Sequence, residues 1–335
     1  MSTFEYIKTK NNFSAPPHTM SAAVITNPGK VEIHEVPLRN IEKDEILFKV
    51  EGCGVCASSI PLWEGRNWFT YPLSPGQPGH EAWGTVIDTG EEVKNIQKGD
   101  RISSLTNNSF ASFDITKEDQ CIKIPDALRN QFFPGEPLGC AFNILKRSAI
   151  KESEKVAVVG CGFLGLLLIQ LLKEKKCEVF AISNRNFSLE KAMESGANHI
   201  FNIEPGWEVS SKINKLTGYV GCTTIIETTG KQIGLDLSTE IVAEGGKIIV
   251  AGYHQDGLRQ VNMQKWNWKG IDVVNAHERK TEKYLEGMRD AVKAIENGFN
   301  PYPLFTHKYS LDEVDIAFSD LIKRPDGFIK GLVIL

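Results

Sequence analysis

"VAVVGCGFLGLLLIQLL", residues 156–172, decides how this chain folds. An apolar run of strand length leads straight into Gly160, Gly162 and Gly165, spaced G-x-G-x-x-G, and then into an apolar helix pattern. The spacing alone is weak evidence. Directly after a strand and opening a helix, it marks a dinucleotide-binding turn. Gly160 permits the tight turn, Gly162 lets a pyrophosphate approach the backbone, and Gly165 lets helix pack on strand. The helix N-terminus at Phe163, Leu164 and Gly165 then offers N–H groups and a positive dipole end to the phosphates.

Downstream of this unit, strand and helix alternate through "VFAIS", "LEKAMESG", "TTIIETTG", "STEIVAEGG" and "KIIVAGY". Such alternation predicts a parallel sheet covered by helices. Upstream, from Ser21 to about Ile124, short β runs are punctuated by Gly, Pro, Asn and Asp, which predicts a β-rich unit. "EPLGCAFNILKRSAI" (136–150) has helical spacing and joins the two, and the tail carries two helical patterns and a last strand, "FIKGLVIL". The expected division is a β-rich catalytic domain over 1–143 and 281–335, with a doubly wound α/β dinucleotide domain over 144–280.

Composition narrows the function classes. At 335 residues the chain suits two domains, and a net charge of −4 with scattered Lys and Arg argues against nucleic-acid or anionic-membrane partners. No apolar run approaches the roughly 18 residues of a membrane span. The polar N-terminus lacks the apolar core of a secretion signal, so residues 1–19 are expected to be a mobile extension, with Met20 close to serving as the start. Seven cysteines, an odd number, do not suggest a disulfide framework, and a cytoplasmic location follows as the expectation.

The strand after the Gly-rich turn, "EVFAIS", ends where a dinucleotide places its adenosine ribose. An NAD site has a carboxylate there. This chain has Ser183, Asn184 and Arg185, with no acidic residue before Glu190. A hydroxyl and a cation suit a 2′-phosphate, so NADP(H) is expected over NAD(H); a solvent-facing Arg185 is the other reading.

Two short stretches carry the remaining chemistry. "EGCGVCASS" (51–59) supplies Cys56, and "PGHEAWG" (78–84) supplies His80 and Glu81. Thiolate and imidazole are natural zinc ligands, and a catalytic zinc takes three protein ligands with one position open. The third is Glu136, or Cys140 one turn further along the same helix.

Taken together, "GCGVCASS", "PGHEAWGTV", "KGDRI", "EPLGC" and "VAVVGCGFLG" resemble the medium-chain dehydrogenase/reductase superfamily, in its zinc-dependent alcohol and polyol dehydrogenase branch, from Met20 to the C-terminus. The resemblance implies a Rossmann domain plus a GroES-like catalytic domain, one zinc held by Cys56, His80 and Glu136, and a homodimer or homotetramer. It implies that Glu81 lies close to the metal and exchanges with water as ligand, that Ser58 begins the proton path, and that Lys330 lies near the pyrophosphate. Cys53 is then a turn residue without metal. His277 and Glu278 fall where the family borders nicotinamide and substrate, with an ordinary surface loop as the alternative.

Trp63, together with Trp68, Phe69, Tyr71, Glu64 and Arg66, is either a substrate wall or core packing. The sequence departs from the family at Ser59, where an aspartate is usual, at Pro61, where some members carry a relay histidine, and in lacking the four-cysteine structural zinc lobe. The expected activity is hydride transfer between NADP(H) and a small alcohol or carbonyl substrate such as a polyol, sugar derivative or cyclitol. A zinc-free reductase of an enone or quinone, and a non-catalytic nucleotide-binding homologue, are the rival readings.

Overall fold

Val156, Ala157, Val158 and Val159 are all fully buried, so the strand they form is covered on both faces, as a central parallel strand must be. The computed structural model describes residues 16–255 and 257–335. In chain order it holds β1 (Thr19–Asn27), β2 (Lys30–Pro37), β3 (Glu45–Gly54), the single-turn α1 (Ile60–Trp63), β4 (Ala82–Thr89), β5 (Arg101–Ser104), β6 (Phe113–Lys117) and β7 (Cys121–Lys123). Then follow α2 (Gly135–Ser148), β8 (Lys155–Val159), α3 (Phe163–Glu174), β9 (Glu178–Ser183), α4 (Asn186–Ser195), β10 (His199–Asn202), α5 (Gly206–Leu216) and β11 (Cys222–Glu227). The chain closes with α6 (Gln232–Ile241), β12 (Val242–Val250), α7 (Met263–Lys269), β13 (Asp272–Asn275), α8 (Thr281–Glu296), β14 (His307–Tyr309), α9 (Val314–Lys323) and β15 (Gly331–Ile334).

The chain divides into two compact units. The first runs to Glu136 and regains Lys308–Ile322 and Gly331–Leu335; the second comprises Pro137–His307 and Lys323–Lys330. The boundary thus falls inside α2 at Glu136, seven residues before the expected 143, and α8 belongs with the nucleotide unit rather than with the β-rich one. The cause is packing within the second unit. A Cβ on Gly139 would lie 2.7 Å from Met288 N, so α2 and α8 touch backbone to backbone, and Asn143 Nδ2 donates to Lys283 O at 2.8 Å. Of the expected N-terminal extension, residues 1–15 lie outside the described residues, and Thr19 already begins β1.

In the second unit a six-stranded parallel sheet has the order β10-β9-β8-β11-β12-β13. Numbered within the unit this is 3-2-1-4-5-6, and the chain reverses direction across the sheet between β8 and β11, where such sheets bind nucleotides. Ala157, Val159, Phe180, Ile182, Ile225 and Ile248 stack across it in one apolar cluster with Ile213 and Ile241 from the covering helices.

The first unit is built on a seven-stranded sheet ordered β14-β15-β3-β4-β5-β7, with β6 on β3, beside the antiparallel β1-β2 pair. β3 slips register against β4 between Val50 and Gly52, where Gly52 makes room for the Trp83 ring. Among the described residues no helix is long and apolar enough to cross a membrane.

Trp63 does not stand at an open pocket wall. It is 7% exposed and stacks on Phe318 of α9, with centroids 4.9 Å apart and planes at 8°. Its role is core packing. Trp63→Ala is expected to cost about 3–5 kcal/mol of stability, as loss of a buried large aromatic does. Urea unfolding checks this: the midpoint falls while the slope holds.

Candidate functional site: a thiolate, imidazole and carboxylate cluster and a glycine-lined turn

The first cluster is built by the pairing of β3 and β4. Cys53 lies opposite Ala82, and just past that pair Gly54 N donates to Glu81 O at 3.1 Å. The backbone after β3 is held by Val55 N donating to Gly331 O at 3.0 Å. Cys56 then caps a short 3₁₀ turn, and Ser59 N donates back to Cys56 O at 3.1 Å. These bonds bring Cys56 beside His80 and Glu81, and one donor atom from each of the three lies within 4.8 Å of the others.

Glu81 is fully buried, and its carboxylate occupies space that only glycine at 54 leaves free: a Cβ there would sit 1.7 Å from Oε2. His80 Nδ1 lies 2.8 Å from Pro78 O. A carbonyl only accepts, so Nδ1 carries the proton and, in the neutral ring, Nε2 presents its lone pair to the cluster. Ser58 is exposed above it, donating from Oγ to Cys56 Sγ at 3.2 Å and lying 3.5 Å from His80 Nε2.

The electrostatics show what this cluster lacks. Burial disfavours a charged His80, yet hydrogen bonding and charge from Cys56, reinforced by Glu136 and Glu81, push its pKa up to about 10. A site that holds a proton this firmly is short of positive charge, and a soft thiolate, an imidazole and carboxylates are the donors a zinc ion takes. The cluster therefore fits a divalent cation. It differs from the expected set in one respect: the third donor in the tight group is Glu81. Glu136, in the first turn of α2, is near enough to act on His80 but stands outside the group. Cys140 is likewise outside it.

Ser103 was not legible as a site residue. Its buried Oγ donates to Ala82 O at 2.8 Å and accepts from Gly135 N at 3.0 Å, so it ties the residue before Glu136 to the strand that follows Glu81. Ser59, in the position where the family carries aspartate, is buried at 5% exposure.

In the second unit the Gly-rich turn is shaped for a ligand. Gly160 has φ 107°, a conformation L side chains rarely adopt, and a Cβ on Gly165 would lie 1.9 Å from Gly160 O. A Cβ on Gly162 would meet nothing within 4 Å, so the backbone there faces open space. Phe163 and Leu164 begin α3, whose first-turn N–H groups have no intrahelical acceptor.

Lys330 is 4% exposed, with Nζ 5.1 Å from the Phe163 ring centroid. That places a buried ammonium at the start of α3 rather than on a solvated strand. Ser183 ends β9 and is buried, Asn184 is exposed, and Arg185 donates through Nη1 to Phe328 O and through Nη2 to Pro325 O. Arg185 is therefore anchored and does not simply face solvent.

The turn after β11 borders the same space, and sequence reasoning passed over it. Thr228 Oγ1 donates to Gly160 O at 2.7 Å, and the fully buried Glu227 carboxylate accepts from Thr229 N, Gly230 N and His254 Nε2. The signal was present in "ETTG", a polar run directly after a buried strand.

The two candidate substrate residues behave differently from each other. Glu278 Oε1 accepts from Arg279 N and Lys280 N, and its other oxygen lies 3.7 Å from Arg147, so its carboxylate serves the start of α8. His277 is exposed and stacks on Tyr253, with centroids 5.8 Å apart.

Comparison with known proteins agrees with this layout. Residues 42–135 match the alcohol dehydrogenase GroES-like domain, and residues 164–294 match the zinc-binding dehydrogenase family. D-xylulose reductase of Saccharomyces cerevisiae is 27% identical over 363 residues, covering 94% of this chain and 98% of that protein. Sorbitol dehydrogenase of Mus musculus is 26% identical over 337 residues, covering 88% of this chain and 90% of its own. The fold is shared with the crystal structure of 2R,3R-butanediol dehydrogenase from Bacillus subtilis, at a TM-score of 0.81 and 23% identity, over 94% of this chain and 99% of that one.

Because Gly54 has no side chain, Glu81 can reach the cluster. Gly54→Ala is expected to displace the carboxylate and weaken zinc affinity about tenfold or more, and Glu81→Gln to do so without the steric clash. Competition against a chromophoric chelator measures both.

Proposed function

Since the chain belongs to the medium-chain dehydrogenase/reductase superfamily, in its zinc-dependent alcohol and polyol dehydrogenase branch, we propose that it interconverts a polyol or related alcohol and its carbonyl with NADP(H). The observation that carries this reading is the convergence of Cys56, His80 and Glu81 beneath an exposed Ser58 hydroxyl. Cys56 and His80 would hold one zinc, with Glu81 as third donor and Glu136 as the carboxylate that exchanges with it. When bound, zinc supplies a Lewis acid for the substrate oxygen, and the nicotinamide supplies the hydride acceptor or donor.

The chain's own residues do the rest. Ser58 Oγ hydrogen-bonds the substrate oxygen and relays its proton in the oxidative direction, accepting it as the hydroxyl's own proton passes on to solvent; the absence of a histidine at Pro61 makes Ser58 the start of the path. Pro78 O fixes the His80 tautomer that leaves Nε2 free for the metal. Gly160, Gly162 and Gly165 with Phe163 and Leu164 receive the pyrophosphate, with Lys330 adding positive charge. Ser183, Asn184 and Arg185 receive the 2′-phosphate.

The proposed substrates are polyols, sugar derivatives or cyclitols, in line with the names of the sorbitol and D-xylulose enzymes it resembles. We place the enzyme in the cytoplasm, consistent with seven free cysteines. It is proposed to work as a homodimer or homotetramer, supported by exposed Val273 on β13, which ends the sheet among the described residues, and by exposed Met263 and Trp268 on the preceding α7. Ser59 in place of aspartate favours one rival, a zinc-free reductase of an enone or quinone.

Metal analysis separates the two: one zinc per chain is expected, and less than about half an equivalent after zinc-supplemented preparation would favour the reductase. A screen with NADP⁺ over polyols, cyclitols and aromatic alcohols is expected to give turnover that a chelator abolishes and zinc restores. Nucleotide binding without turnover on any member would instead indicate a non-catalytic homologue. Light scattering is expected to give the mass of two or four chains.

A further inference from the structure

Arg324 lies in the 323–330 segment, the last stretch of chain in the nucleotide unit. It is exposed, and its backbone is held at φ 49°, in the left-handed region where a Cβ is strained. The turn that follows it is bound to the end of β9: Arg185 donates from Nη1 to Phe328 O at 2.9 Å and from Nη2 to Pro325 O at 3.2 Å. Carbonyl acceptors satisfy hydrogen bonds of Arg185 and leave its charge unneutralised. Burial and then the Arg324 charge hold the Arg185 pKa below its ordinary value, with Asp326 opposing them weakly.

Ser183 adds a hydroxyl here. Its Oγ accepts from Arg185 N at 3.4 Å, which leaves the hydroxyl hydrogen to donate. Arg324 immediately precedes Pro325, whose carbonyl Arg185 bonds, so both cations belong to one bonded turn beside Ser183, and an anion bound there meets both charges. We propose that Arg324 is a specificity-determining residue that closes, with Arg185 and Ser183, a pocket for the 2′-phosphate of NADP(H). This rests on the NADP(H) reading above and adds to it a residue from the C-terminal segment. A phosphomonoester carries close to two negative charges and three acceptor oxygens, which forked guanidinium donors match.

The test compares dissociation constants for NADPH and NADH, read from quenching of tryptophan emission, in the full-length wild type and in Arg324→Gly, Arg324→Gln and Arg324→Lys. Glycine takes φ 49° without strain, so Arg324→Gly removes the charge and keeps the turn, and Arg324→Gln removes it with the stem retained. Both are expected to weaken NADPH about tenfold and leave NADH unchanged, with Arg324→Lys between them and the wild type. 2′-AMP is expected to compete with NADPH in the wild type and about tenfold less well in Arg324→Gly. 5′-AMP and inorganic phosphate are expected to act equally on both proteins.

A wild type that prefers NADPH, with that preference intact in Arg324→Gly and Arg324→Gln, overturns the role of Arg324 and leaves the NADP(H) reading standing. A wild type that prefers NADH overturns both.

Discussion

Everything proposed for the first unit depends on one backbone contact, the hydrogen bond from Gly54 N to Glu81 O at the end of the β3-β4 pair. It sets which residues of two separate stretches meet. A one-residue slip would turn the side chains after β3 to the other face and separate Cys56 from His80. The same closeness leaves no room for a Cβ at 54, so backbone register and the position of a buried carboxylate are a single constraint. Pro78 O and Ser103 Oγ then orient what the register has gathered, the imidazole on one side and the start of α2 on the other.

The second unit rests on an analogous economy at Gly160, Gly162 and Gly165. One glycine turns the chain, one admits close packing, and one leaves the backbone facing open space. Thr228 stitches the next strand's turn to Gly160 O, and His254, whose Nδ1 accepts from Arg259 Nε, donates from Nε2 to the buried Glu227. That arrangement holds the imidazole in one tautomer and gives the Glu227 carboxylate a donor on each oxygen, so the turn beside the Gly-rich loop is held by a satisfied network.

Much of this was legible in the residues. The strand–turn–helix around Gly160 predicted the parallel sheet because periodicity and glycine spacing are local properties. Cys56, His80 and Glu81 were legible as chemistry because their side chains have few other uses in tight turns. The choice between Glu81 and Glu136 was not, since it depends on whether Gly54 leaves space across a strand pair. The choice between the two readings of Trp63 was not legible for a similar reason: its partner, Phe318, is 255 residues away, and nothing near position 63 distinguishes a buried ring from a pocket wall. The placement of α8 with the nucleotide unit followed from its contact with α2, a long-range fact invisible to composition.

β15 pairs with β3, placing Leu332 opposite Gly54 and Val333 opposite Cys53. The strand that precedes Cys56 thus takes one of its neighbours from a segment far along the sequence. Pairing between segments so far apart in sequence closes a long loop, so the flank of β3 beside Cys56 is expected to close late in folding.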